Sequence, residues 1–298
     1  MANVLAALGL MANAFTWGVS WWPFRQLQGL GVHPLWATAF IYVLALVALL
    51  VWQPSAWRAF ARFPALWALL LAAGLTNVGF NWAVTVGDVV RAVLLFYLMP
   101  AWVVVLAWPI LGEKPNAGSL ARLALALAGV VIVLKAPGSA WPVPDTLADW
   151  LALMGGMCFA LTNILLRKLQ DVPPAASMLA LFAGGALMAT LAALLGMQQG
   201  LVNMLPPVAV DWLAWVGALC LFILAGNLGL LYGATRLSAS ATSIIMLSEV
   251  VFASVSAVLL GAGALNQRTL WGGMLILLAS VLSALPFGKG PAEPHAPA

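Results

Sequence analysis

Glu249 is the one acidic side chain that falls deep inside an apolar run of this 298-residue chain. An ionisable group at that depth is costly, and by default it marks a functional position that needs a partner. It could receive an ammonium group, or bind and release a proton. It could equally tie helices together through Ser248, Ser254 or a freed backbone group, and the sequence leaves both roles open. Other polar side chains recur at helical spacing inside apolar runs. Asn77 and Asn81, four apart, share a helix face, with Gly74 one turn earlier. Amides in such a setting must find partners, either in a water-filled cavity or on a neighbouring helix. Asn13, Thr16, Trp17 and Ser20 form a stripe on the first run. Tyr97, Pro100 and Val104 share a face of the fourth, with Trp102 close by. Thr162 and Asn163 come near the end of the sixth, and Asn227 lies in the eighth.

The elements that position these groups follow from composition. The chain is 64% hydrophobic and 7% charged, against about 25% charged for a soluble domain, so it belongs in a lipid bilayer. Ten apolar segments are predicted near 4–24, 35–52, 65–86, 90–110, 116–135, 148–168, 176–197, 211–234, 242–260 and 268–287, each about the ~20 residues that cross a hydrocarbon layer as a helix. Turn signals separate them: Gly29-Leu30-Gly31, Gln53-Pro54-Ser55, Pro137-Gly138, Pro142-Val143-Pro144, Pro173-Pro174 and Pro206-Pro207. Gly112-Glu113-Lys114-Pro115-Asn116 is a further turn, in which Glu113 reads as a helix-end or loop ion pair beside Lys114. Pro100 interrupts the fourth segment, which predicts a kinked helix beside a cavity.

Charge and special residues bound the function. With a cytoplasmic N-terminus, the inner side carries Arg58, Arg62, Lys114, Arg122, Arg167, Lys168, Arg236 and Lys289, and the outer side only Arg25, Arg91, Lys135 and Arg268. That asymmetry predicts a multi-pass protein of a bacterial-type cytoplasmic (inner) membrane with both termini inside. The scattered net charge of +4 reads as topology, which excludes a nucleic-acid partner. Cys158 and Cys220 lie in apolar runs as inert packing residues. Most tryptophans fall at segment ends as an aromatic belt, whereas Trp17, Trp82 and Trp102 sit deeper. No GxxxxGKS/T loop is present, and the only histidines are His33 in a loop and His295 in the tail. ATP hydrolysis by this chain and intramembrane hydrolase chemistry are therefore excluded. No cofactor and no metal site are expected.

The two halves resemble each other. Asn77-Val-Gly-Phe-Asn-Trp82 matches Asn227-Leu-Gly-Leu-Leu-Tyr232, and Leu98-Met-Pro-Ala-Trp102 aligns with Leu247-Ser-Glu-Val-Val251. Leu111-Gly112 aligns with Leu260-Gly261, Asn116 with Asn266, and Leu10-Met11 with Leu153-Met154. Five spans per half is odd, so the second copy must insert upside down. The expected architecture is an all-α polytopic membrane protein of ten transmembrane helices arranged as two inverted five-helix repeats, 1–137 and 145–287, with a flexible tail at 288–298.

The stretch Arg91–Leu134 resembles the second half of an EamA domain of the drug/metabolite transporter superfamily: a proline in the fourth span, a Gly-Glu turn, then a glycine-containing fifth span. Phe15-Thr-Trp-Gly-Val-Ser20 is similar to that family's first-span Trp-Gly motif, and Leu247-Ser-Glu-Val250 to its Leu-Glu-Pro pattern. The second copy departs from the pattern at Val250, where the family has proline, and at Gly261-Ala262, where Gly-Glu is usual. The tryptophan-rich layout is most similar to YddG-type aromatic amino-acid exporters. The resemblance implies a secondary transporter whose cavity is lined by spans 1, 3, 4, 6, 8 and 9. The expected lining is Trp17, Ser20, Asn77, Asn81, Trp82, Tyr97, Pro100, Trp102, Asn163, Asn227 and Tyr232, with Glu249 as a coupling or structural acid. Aromatic walls with a few amides suit a small amphipathic solute such as an aromatic amino acid. A multidrug or other metabolite carrier of the same fold is the alternative, then a channel or lipid-handling protein. The partners expected are a small-molecule substrate and the bilayer, with monomer or homo-oligomer left open.

Overall fold

The computed structural model describes residues 2–87, 89–135, 138, 141, 144–261 and 267–284. The tail 288–298 (Lys289 and His295 included), the turn residues Pro137, Pro142 and Val143, and Ala262 and Asn266 lie outside the described residues. The chain is all-helical among the described residues. Helices α1 (Ala2–Gly29), α2 (Pro34–Trp52), α3 (Ala59–Arg62), α4 (Ala65–Val86), α5 (Val89–Phe96), α6 (Met99–Leu111) and α7 (Ala117–Leu134) make up the first half. The second half comprises α8 (Leu147–Lys168), α9 (Pro174–Gln198), α10 (Val210–Ala234), α11 (Ala239–Met246), α12 (Glu249–Leu259) and α13 (Gln267–Ala284). Among the described residues, nine helices are long and apolar enough to cross a membrane, with α5–α6 and α11–α12 each forming one of them. The segment expected as a tenth, α13, opens on Gln267, Arg268 and Thr269, which lower its hydropathy. It nevertheless packs along α7.

Local sequence explains the helix ends. Gly112 closes α6 in the left-handed conformation (φ 74°), which glycine adopts without steric penalty. Asn116 and Thr146 then open α7 and α8 with capping boxes to Ser119 and Asp149. His33, expected simply in a loop, caps α2 by accepting the Leu35 N–H on Nδ1 at 3.2 Å. The first helix runs to Gly29 rather than stopping near residue 24 and carries Pro23 inside it.

Long-range packing runs mainly between the halves. α1 lies on α10, α4 on α8 and α9, α2 on α9, and α7 on α13. Lipid tails are as apolar as leucine, so helix pairing there depends on close packing, and small residues permit it. A Cβ on Gly79 would sit 2.7 Å from the Leu151 carbonyl oxygen and 2.9 Å from Gly155 Cα. One on Gly229, which aligns with Gly79, would sit 2.4 Å from the Gly9 carbonyl oxygen. Gly129 meets Gly272 and Ile276 while Gly272 meets Val133, so α7 and α13 cross antiparallel. α1 and α10 are antiparallel too: Gly9 opposes Gly229, and Thr16 opposes Gly226.

The fourth span of each half is interrupted at nearly the same place. α5 stops at Phe96 and α6 starts at Met99; α11 stops at Met246 and α12 starts at Glu249, one residue later than the alignment of Leu98 with Leu247 places it. The expected kink at Pro100 is thus a two-residue break at Tyr97–Leu98, with Pro100 in the first turn of the following helix, where its missing N–H costs no helical bond. The Phe96 carbonyl, four residues earlier, faces Gly156, where a Cβ would lie 2.5 Å from it.

These crossings predict that Gly79→Leu destabilises the protein by about 1–3 kcal/mol, the usual penalty for overpacking. Gly217, with open space around it, serves as control: Gly217→Ala leaves the thermal unfolding midpoint of the detergent-solubilised protein unchanged or slightly raised. Equal loss in both variants would remove close crossing as the determinant.

Candidate functional site

The two helix breaks meet. The buried Tyr97 side chain lies against the Glu249 carboxyl group, bringing the break of the first half to the first residue of α12. Glu249 is partly buried, and its backbone carbonyl packs on α1, where a Cβ on Gly18 would lie 2.7 Å away. Just before it, the Ser248 hydroxyl is fully buried and has no partner. The Tyr97–Glu249 pair is the polar centre of the bundle, and helices α1, α5, α6, α11 and α12 position it.

The remaining expected lining residues are divided among several settings. Asn77 and Asn81 face α2: Asn77 lies beside the Tyr42 side chain, and Asn81 Nδ2 donates to Thr38 Oγ1 at 3.3 Å. Asn77 Nδ2 also donates to the Ala73 carbonyl (2.9 Å), and Asn227 Nδ2 to the Ile223 carbonyl (2.9 Å). Ser20 is buried, with its hydroxyl on the Trp17 carbonyl at 2.8 Å. Trp17 and Trp82 are partly buried against the main core. Pro100 is buried, and Trp102 packs with Val103, Ala107, Ala160 and Ile164 while its indole N–H has no partner. Asn163 is fully buried with both amide atoms unpartnered. Tyr232 lies in the last turn of α10 under the Arg236 guanidinium, 3.7 Å from its ring centroid, so it stands at the end of the bundle. Cys158 and Cys220 are buried free thiols.

Each end of the bundle carries an ion pair between the halves. At one end Arg91 of α5 grips α8: Nε donates to Asp149 Oδ1 at 2.7 Å, and Nη2 to Asp149 Oδ2 at 2.9 Å and Asp145 Oδ1 at 2.5 Å. The Asp149 carboxylate also accepts the Asp145 and Thr146 N–H groups (3.1 and 3.0 Å). At the other end, Glu113 accepts the Ala239 N–H at 3.1 Å and lies 3.7 Å from Arg167 Nε. Glu113 therefore pairs with α8 and α11 of the other half, and not with its neighbour Lys114, which leans over Trp108. Sequence reading missed Asp145 and Asp149. The Thr146-x-x-Asp149 capping pattern was the available signal, although it could not name Arg91 as partner. A cavity of about 350 Å³ opens beside Glu113, lined by Val103, Val104, Ala107, Arg122, Ser238 and Ser240 among others. A second, of about 480 Å³, opens beside Arg91 and Asp149.

The profile of the EamA-like transporter family matches twice, over residues 4–135 and 146–285. A solved crystal structure aligns with a TM-score of 0.72 at 19% identity, covering 93% of this chain and 96% of its own, which shows a shared fold. No curated protein matches the sequence.

The doubly bonded Arg91–Asp149 pair predicts a large coupling. Asp149→Asn is expected to cost about 1.5–3 kcal/mol, the worth of a charge-assisted hydrogen bond. In a double-mutant cycle with Arg91→Met, measured by thermal unfolding, the two losses should fail to add. Additive losses would show that the pair contributes nothing jointly.

Proposed function

The chain belongs to the EamA-like transporter family, and from that premise we propose that it is a secondary transporter exporting small amphipathic metabolites, amino acids and aromatic ones foremost. The observation that carries this reading is the Tyr97–Glu249 contact. It puts an acid and a phenol where two interrupted spans from opposite halves meet, the kind of midplane junction at which secondary transporters hold their solutes. The substrate class rests on the likeness to YddG-type exporters and on the aromatic side chains near that junction, Trp17, Phe96 and Trp102 among them. Phe96 itself stacks on Phe159, ring centroids 5.8 Å apart.

The same reading takes α13 as a tenth span and the halves 1–137 and 145–287 as inverted repeats. The antiparallel crossing of α7 and α13, the last helices of the two halves, supports it. With both termini cytoplasmic in an inner membrane, the Glu113 end faces the cytoplasm and the Arg91 end the opposite side. Alternating access is then a rocking of one half against the other about the Tyr97–Glu249 junction, with the two cross-half ion pairs at the ends broken in turn. The carboxyl group of Glu249 offers an ammonium group its counter-charge, and the surrounding rings cover the apolar body of the solute.

Purified protein in liposomes, loaded with labelled amino acids, tests the proposal. Saturable flux of Phe or Trp that unlabelled substrate accelerates in exchange is expected. Glu249→Gln should lower it at least tenfold, the scale of one lost charged hydrogen bond, and Tyr97→Phe should lower it less. Flux that fails to saturate would indicate a channel. Saturable flux of bulky cations but not of amino acids would indicate a multidrug carrier.

A further inference from the structure

Fully buried polar side chains without hydrogen-bond partners are costly, the more so at membrane depth. Four of them, Asn13, Asn163, Thr242 and Ser248, are completely buried, and the polar side-chain atoms of each are unpartnered. The indole N–H of Trp102 is a fifth such group. They sit on α1, α8, α11 and α6 or at their ends, and α11 packs against each of the other three, as α6 does against α8.

Their heights form a series. Counting from the Glu113 end at about 1.5 Å per helical residue, Thr242 lies about 4–5 Å inside the start of α11 and Asn163 about 7–8 Å inside the end of α8. Trp102 and Ser248 follow at about 13–14 Å, Glu249 at about 15 Å and Tyr97 at about 21 Å. Asn13 stands five residues before Gly18, which meets the Glu249 carbonyl, and so lies on the Glu113 side of it. The foot of the series is the cavity beside Glu113, to which Ser240 contributes. In the opposite half of the bundle Ser20 bonds the Trp17 carbonyl, Asn81 bonds Thr38 and Ser256 accepts the Trp21 indole N–H at 2.9 Å, and among the described residues the Trp36 indole N–H is the one comparable group there without a partner.

We propose that the seam among α1, α6, α8 and α11 is the closed form of an access route from the Glu113 end to Glu249, that its orphaned groups take water or the polar head of the solute when it opens, and that Glu113 is its latch. The inference rests on the transport reading and adds its path and its gate. Glu113 is suited to the task because one carboxylate holds two elements of the other half, the first N–H of α11 and Arg167 of α8. Arg167 is anchored in turn on the Thr235 carbonyl at 2.6 Å. Release of that carboxylate frees the start of α11 from the α6–α7 turn. The buried apolar contacts left across the mouth join Val103 and Ala107 to Ala160, Ile164 and Ala239, with Trp102, Leu106, Ile110 and Leu111 packed around them.

The test is thiol accessibility in the full chain, with Cys158→Ala and Cys220→Ala as background. Thr242→Cys and Asn163→Cys are each exposed, in oriented vesicles, to a membrane-impermeant thiol reagent from one side at a time. Slow labelling from the Glu113 side alone is expected. Adding Glu113→Ala should speed it about ten- to a hundredfold, the scale of a lost charged hydrogen bond, and Arg167→Met should speed it less, because the Ala239 bond survives. Ile223→Cys, buried on α10, should stay unlabelled throughout and so separates opening of the seam from general loosening. Labelling indifferent to Glu113, labelling from the Arg91 side, or equal labelling at Ile223→Cys would overturn the proposal. Faster labelling in a protein with no saturable flux would retire the transport reading while leaving the latch. Saturable flux with labelling indifferent to Glu113 would do the reverse.

Discussion

Close backbone crossing between the halves is the constraint on which the rest depends. In lipid, helices gain little from burying leucine against leucine, so pairing is decided where backbones can approach. Gly79 on Gly155, Gly9 on Gly229, Gly74 on Gly184 and Gly129 on Gly272 are such places, and each joins a helix of the first half to one of the second. The halves are therefore interleaved, and neither buries its own core alone. A consequence is that the fourth spans, which carry the breaks, are brought together at the centre of the bundle.

The breaks are mild in backbone terms. Both are tight turns of residues with ordinary right-handed φ and ψ: Leu98 at −72° and −1°, Leu247 at −62° and −15°, Ser248 at −59° and −16°. Pro100 accounts for the first, since its ring and missing N–H exclude a continuous bond to Phe96. No proline stands at the second. There Gly18 lets α1 approach the Glu249 carbonyl, and Ser248 and Glu249 are the residues at the turn. Two different local causes give one shape at aligned positions, as expected if the shape itself is what the two halves hold in common.

Much of this was legible in the sequence. Apolar run lengths, the Gly112–Asn116 turn and the matched Asn77 and Asn227 segments marked the helices, their ends and the repeat, because each depends on residues close in sequence. Glu249 stood out for the same reason: a charge in an apolar run needs no structure to be noticed. Its partner did not stand out, because Tyr97 is one tyrosine among aromatic neighbours and is joined to Glu249 by packing across 152 positions of sequence. The partners of the asparagines are hidden in the same way. Asn77 and Asn81 share a face as read, but that face meets Tyr42 and Thr38 of α2, which no local pattern could name. From sequence Arg91 reads only as an outer-side charge, and nothing there points to Asp149 as its partner. Only the α4–α8 and α5–α8 packing shows that they hold one another.

The two ends of the molecule differ in how firmly they are shut. Arg91 makes three short charged bonds to two carboxylates, one of them almost wholly buried and further held by two backbone N–H groups. Glu113 has one backbone hydrogen bond and a 3.7 Å ion pair whose two side chains are each more than a quarter exposed, which for an exposed pair is worth about 0–1 kcal/mol. Beneath it lie the four fully buried polar side chains with no partner, each carrying a penalty of about 1–3 kcal/mol. A weak closure over a run of unsatisfied groups is a state that water can relieve; the strong closure at the Arg91 end resists it. The fold is thus biased to yield at the Glu113 end first, while the Arg91 end keeps the halves together.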